Sequence, residues 1–201
     1  MPRRRSSRNG IEVRDTDGPR DPFQQLERSH RRLEERLDDL SRAAYDAKDT
    51  GRADAYQLDG VRDVLAFFGR AVKRHEDDEE KSLFPRLAHD DAARAAIDRL
   101  VREHREHEAL HEALDRVVRV LDGAPEDAAA IDELDRVSHA LASAYRTHIE
   151  EEERSLFPRA RAMLDANALD AIAREMDERR TAGGGGGGGR GGGGGGVRPS
   201  R

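Results

Sequence analysis

The sequence predicts an all-α protein, an up-down-up-down four-helix bundle built from two repeated helical hairpins. Three observations carry this. Four segments place apolar residues or histidines at steps of three and four, the spacing of one helix face turned to a core. The first segment matches the third, and the second matches the fourth. Only 35% of the 201 residues are hydrophobic and 39% are charged, a mixture suited to amphipathic helices with solvated outer faces. Aromatic residues, at 4%, are too few for a β-sandwich or barrel.

The first helix starts at Asp21-Pro22, a capping side chain followed by proline where its missing N–H is harmless. Its stripe is Phe23, Leu26, His30, Leu33, Leu37, Leu40, Ala44. The second runs Leu58, Val61, Leu65, Phe68, Val72, His75, Glu79. The third is Ile97, Leu100, His104, His107, His111, Leu114, Val118, Leu121. The fourth is Ile131, Leu134, Ser138, Leu141, Tyr145, His148, Glu152. Breaks are expected at Asp49-Thr50-Gly51, His89-Asp90-Asp91 and Asp122-Gly123-Ala124-Pro125, with kinks or ends at Pro85 and Pro158. The bundle is thus expected over 21–160, with a candidate short helix over 161–180. Residues 1–20 read as a disordered basic arm. The glycine-rich 181–201 read as a flexible tail, with weak RNA or partner contact through its arginines as the rival reading.

The repeat aligns side chains that carry chemistry. At one fixed offset Phe23 falls on Ile97, Leu26 on Leu100 and His30 on His104. At a second offset Leu58 falls on Ile131, His75 on His148 and Glu79 on Glu152. The segment from His75 to Arg86 matches that from His148 to Arg159, including Ser-Leu-Phe-Pro-Arg in both. His30 and His75 each lie seventeen residues from markers flanking the first turn, Ala47 and Leu58. Folding back at about 1.5 Å per residue sets both roughly 25 Å from that turn. His104 and His148 behave alike about Leu121 and Ile131. Four histidines then meet at one level, with Glu79 and Glu152 one turn further on.

Imidazoles and carboxylates in an apolar core are costly without partners, and cations supply them. With 42 acidic residues in the chain, a single His-x-x-x-Glu is a weak signal. Two on repeated stripes, with two further histidines at matched depth, are a strong one. The candidate metal ligands are therefore His30, His75, Glu79, His104, His148 and Glu152. There is no cysteine, so thiolate sites are excluded; the nitrogen and oxygen donors suit iron or manganese, and also zinc. His107 and His111 could be extra or alternative ligands, hydrogen-bond partners of ligands, or a polar lining. Tyr145 reads as core packing, with a hydroxyl toward bound ligand as the alternative. Glu76, Asp77, Asp78, Glu80, Glu150 and Glu151 read as solvated surface. A net charge of −6 gives no general pull toward nucleic acid or an anionic membrane. No apolar run reaches transmembrane length, and a soluble cytoplasmic protein is expected.

These residues resemble the hemerythrin-like, or HHE cation-binding, domains. The matching text is Asp21-Pro22-Phe23, Leu26, His30, His75-x-x-x-Glu79 with Leu83-Phe84-Pro85, Glu103-His104, and His148-x-x-x-Glu152 with Leu156-Phe157-Pro158. The resemblance covers roughly 20–160. It implies two iron ions bridged by carboxylates and an oxo or hydroxo group. The oxygen carriers of the family have His-x-x-x-His on the third helix, and the first of that pair is Leu100 here. They also have His-x-x-x-x-Asp on the fourth, where this chain has Glu152 one place earlier and Glu153 at the Asp position. Both differences point away from reversible oxygen carriage. The expected role is binding or sensing of dioxygen, nitric oxide or peroxide, or protection against them. A di-iron enzyme with peroxidase, oxidase or nitric-oxide-processing activity is one alternative, and an iron-responsive regulatory module is another.

Overall fold

The computed structural model describes residues 21–182, and all regular structure among them is helical. The basic arm and glycine-rich tail expected from the sequence lie outside the described residues, save Thr181 and Ala182, which close the last helix. The chain forms four long helical rods and a fifth helix. The first rod is α1 (Pro22–Thr50). The second joins α2 (Ala55–Phe67), α3 (Lys73–Asp78) and α4 (Phe84–Leu87) through two π-helical turns, Phe68–Val72 and Glu79–Leu83. The third is α5 (Asp91–Gly123). The fourth joins α6 (Ala128–Glu151) to α7 (Phe157–Met163) through the π turn Glu152–Leu156, and α8 (Ala166–Ala182) follows.

Aspartates start the helices by accepting orphan backbone N–H groups. Asp21 accepts from Phe23 at 3.0 Å, Asp90 from Ala93 at 2.8 Å and Asp127 from Ala130 at 2.9 Å. Asp54 forms a reciprocal box with Gln57, both bonds at 2.8 Å. Gly51 ends α1 at φ 67°, a left-handed conformation that glycine adopts without a Cβ penalty. Asp49 and Thr50, expected in the break, instead complete α1. The loops after α1 and α5 meet where Ala53 N–H donates to the Pro125 carbonyl at 2.8 Å.

The two prolines do not end their rods. An α-turn would set each ring against the carbonyl four residues back, at Lys81 or Arg154. The chain widens instead, and Phe84 and Phe157 N–H groups bond the carbonyls of Glu79 and Glu152, five residues back. Each of these two turns therefore begins on a glutamate expected in the site.

Two apolar clusters fill the interior. One includes Leu33, Leu37, Leu40, Leu58, Val61, Leu114, Leu121, Ile131 and Leu141. The other includes Phe23, Leu26, Leu83, Phe84, Leu100, Leu156, Phe157, Ile172 and Met176. The expected fifth helix is α8, which buries Ile172, Ala173 and Met176. Asp78, expected at the surface, is only 1% exposed and anchors this helix. Its carboxylate accepts from Arg179 Nη1 at 2.7 Å and from Arg180 Nη2 at 3.1 Å. Glu76 is buried too, with Lys73 Nζ at 3.5 Å. Leu37 is fully buried in the first cluster. Leu37→Ala should lower unfolding free energy by about 2–5 kcal/mol, read by chemical denaturation, while exposed Glu35→Ala should change it by less than about 0.5 kcal/mol.

Candidate metal centre

The stripe from each long rod sends polar groups into the layer between the apolar clusters. His30 comes from α1, His75 from α3, His104 from α5 and His148 from α6, while Glu79 and Glu152 open their π turns. All six are buried, and both glutamates are fully so. Their donor atoms converge in two groups. His30, His75, Glu79 and Glu152 offer atoms within 4.8 Å of one another, and so do Glu79, His104, His148 and Glu152. The six side chains singled out in the sequence are the six brought together.

The arrangement has an internal two-fold pattern. Nε2 of His30 stands 3.0 Å from Nε2 of His75, and Nε2 of His104 stands 3.1 Å from that of His148. Glu79 spans the pairs, with Oε1 3.3 Å from His75 and Oε2 3.6 Å from His104. Glu152 spans them the other way, 3.4 Å from His148 and 3.2 Å from His30. The repeat in the sequence is thus a repeat in space. Two three-dimensional copies share both carboxylates.

Outer carboxylates hold three of the rings. His30 Nδ1 donates to Glu153 Oε1 at 2.8 Å, His104 Nδ1 to Glu80 Oε1 at 2.7 Å, and His148 Nδ1 to Glu103 Oε2 at 2.8 Å. With hydrogen held on Nδ1, each Nε2 lone pair is turned inward, the state a cation requires. Phe157 stacks on His30 at 5.7 Å and Phe84 on His104 at 6.3 Å, so the repeated Leu-Phe-Pro text supplies an aromatic wall for each half.

Electrostatics divides the two glutamates. Burial, with Glu152 adding to it, pushes Glu79 well above the ordinary carboxylate range. Burial opposes ionisation of Glu152 also, but His148 and His30 outweigh it and hold that group well down. Burial likewise opposes charge on His148, yet Glu152 and Glu103 raise it to about 9. Burial and His30 drive His75 well below its usual value. Without cations the cluster shares protons unequally. All four inner glutamate oxygens lack a hydrogen-bond partner although buried, which is expensive unless a positive ion meets them. Four imidazole nitrogens and two carboxylates, with no sulfur, form a donor set that fits a borderline divalent transition metal such as iron.

The family model for the hemerythrin HHE cation binding domain matches residues 21–160. The chain belongs to this family. A protein of Haemophilus influenzae, described as uncharacterized, is 32% identical over 125 residues, covering 61% of this chain and 69% of the relative. Within this hemerythrin-family domain, His107 and His111 stand outside both donor groups. The His107 ring packs 4.0 Å from Tyr145 and 5.1 Å from His148. Tyr145 is buried and its hydroxyl lies 2.9 Å from His111 Nε2, while Phe68 stacks on His111 at 4.2 Å. Tyr145 therefore packs in the core and also pairs with a histidine. A cavity of about 280 Å³ reaches this side, lined in part by His111, Glu76 and Val72.

The outer carboxylates were not singled out in the sequence. Glu80 was expected at the surface and is exposed, yet its carboxylate reaches His104. The signal was present: His-x-x-x-Glu-Glu occurs in both copies, and Glu103 adjoins His104.

Burial lowers His111 to about 4. The folded protein then binds fewer protons than the unfolded chain between about pH 4 and 6.5, so its stability is full above 6.5 and declines as pH falls through that window. His111→Gln should flatten this part of the stability–pH curve, by at most about 1.4 kcal/mol per pH unit, in denaturation series at fixed pH.

Proposed function

We propose that this chain is a di-iron protein that binds or senses dioxygen, nitric oxide or peroxide, or protects against them. The observation that carries the reading is the pair of buried glutamates, each spanning two histidines from different halves of the repeat. His30 and His75 would hold one ion, His104 and His148 the other, and Glu79 and Glu152 would be shared. When bound, two iron ions supply a redox-active centre able to take a small exogenous ligand.

The residues around that centre have separable tasks. Glu153, Glu80 and Glu103 hold the imidazole protons outward. Phe157 and Phe84 pack on the rings and keep water from that side. His111 lines the 280 Å³ cavity and pairs with Tyr145, and the His107 ring packs on Tyr145 and stands 5.1 Å from His148, so these three side chains lie between that cavity and the centre's second histidine pair. Burial drives His107 down to about 3, helped by His148, so this ring stays neutral near pH 7. Contacts of α1 with α2 and α6, and of α5 with α6 and α2, support an up-down-up-down bundle over 21–160 as the unit that holds the metals. No described helix is long and apolar enough to cross a membrane. Ligand and protein partners are expected from the aqueous phase.

Metal analysis of purified protein should find iron, near two ions per chain. His75→Ala and Glu79→Ala should each lose most of it while circular dichroism keeps the helical signal. Glu153→Gln should weaken binding by about 10–100-fold. Full iron retention in both alanine variants would contradict the assignment.

A further inference from the structure

The two-fold pattern of the centre fails at one place. His148 Nδ1 is held by Glu103, the residue before His104. The repeat puts Ser29, the residue before His30, at the matching place beside His75. Ser29 is shorter and uncharged, and its hydroxyl donates to the Gln25 carbonyl at 3.2 Å. His75 Nδ1 is consequently buried with no hydrogen-bond partner. The ring is 6% exposed and its Nε2 belongs to the inner cluster, so Nδ1 faces the other way.

A cavity of about 80 Å³ occupies that side, lined in part by Ser29, Arg32, Arg74, His75, Asp78 and Arg180. This is room for a small anion or a few waters. Arg180 Nη1 is a second buried donor without a partner. Arg32 and Arg74 make no ion pair with a described residue. The one acid in the lining, Asp78, has its two oxygens engaged by Arg179 and Arg180. The wall therefore carries surplus positive charge, and two of its residues, His75 and Arg180, each hold a buried N–H donor without a partner. An oxyanion satisfies both deficits, because its oxygens accept from imidazole and guanidinium together.

The geometry points to a binding site for a small carboxylate-type oxyanion, seated against His75 at the place where Glu103 stands in the other half of the repeat. The bound anion supplies from solution the carboxylate that the first hairpin lacks. It fixes the His75 ring with its Nε2 lone pair inward, as Glu103 does for His148. The site itself stands on the cavity and its donors; its influence on the centre rests on the metal reading above.

Acetate is the probe. The full-length, metal-loaded protein is titrated with sodium acetate by calorimetry at constant ionic strength, with metal content measured on the same samples. One saturable acetate site is expected. Ser29→Glu should abolish it, since the new carboxylate takes the anion's place, and Arg74→Gln should weaken it at least about tenfold, with metal content kept in both. No saturable uptake, or uptake in both variants equal to that of the unaltered protein, overturns the site; the second result puts acetate on the metals or elsewhere on the surface. Protein that takes up no iron on loading yet binds acetate in this pattern keeps the site and removes the metal reading. Metal-replete protein without acetate uptake does the reverse.

Discussion

Two carboxylates enclosed in a helical interior, with no hydrogen-bond donor for any of their four oxygens, govern this molecule. Such a pair is unfavourable when both are ionised, and burial, with Glu152 adding to it, pushes Glu79 toward its neutral form. Four imidazole nitrogens at 3.2–3.6 Å are the close polar company. Cations resolve the conflict by neutralising the carboxylates and using the imidazole lone pairs. The surrounding features follow from that demand. Apolar clusters above and below keep the layer dry, π turns start on the two glutamates, and outer acids set the tautomers of three histidines.

Much of the fold was legible because helical spacing reports directly which face is buried. Every residue of the α1 stripe, from Phe23 to Ala44, is buried. The six inner side chains were legible because the repeat fixed their relative depth, which no single His-x-x-x-Glu could do. Other features depend on where a side chain's far end goes, and spacing does not report that. Asp78 lies off the stripe yet is buried, because α8 returns to cover it with Arg179 and Arg180. Glu80 leaves its own rod to reach His104 on α5. Pro85 and Pro158 read as kinks or ends, because proline disfavours an α-turn; a wider turn that lets the helix continue needs the backbone to reveal it.

The departures from two-fold pattern fall on two flanks of the second rod, where Val72 borders both cavities. On one side Ser29 replaces a glutamate, and a cationic cavity adjoins His75. On the other, His107 and His111 stand where the first hairpin has Leu33 and Leu37, and they meet Tyr145 beside a larger cavity. A duplicated scaffold gives both halves the same ligand chemistry. The substitutions between halves then give the two halves different surroundings, arginines beside His75 and a histidine–tyrosine group beside His148. The third π turn, Phe68–Val72, belongs to the same asymmetry, since the fourth rod has no counterpart and Phe68 stacks on His111.

The central claim is that Glu79 and Glu152 are shared by two metal ions. Anomalous diffraction at the iron edge, from crystals of the full chain grown with ferrous iron, tests it most directly. The account predicts two peaks within each protomer, one between His30 and His75 and one between His104 and His148, with both glutamates reaching each ion. A single peak, a peak elsewhere in the helices, or none in metal-replete crystals would contradict it.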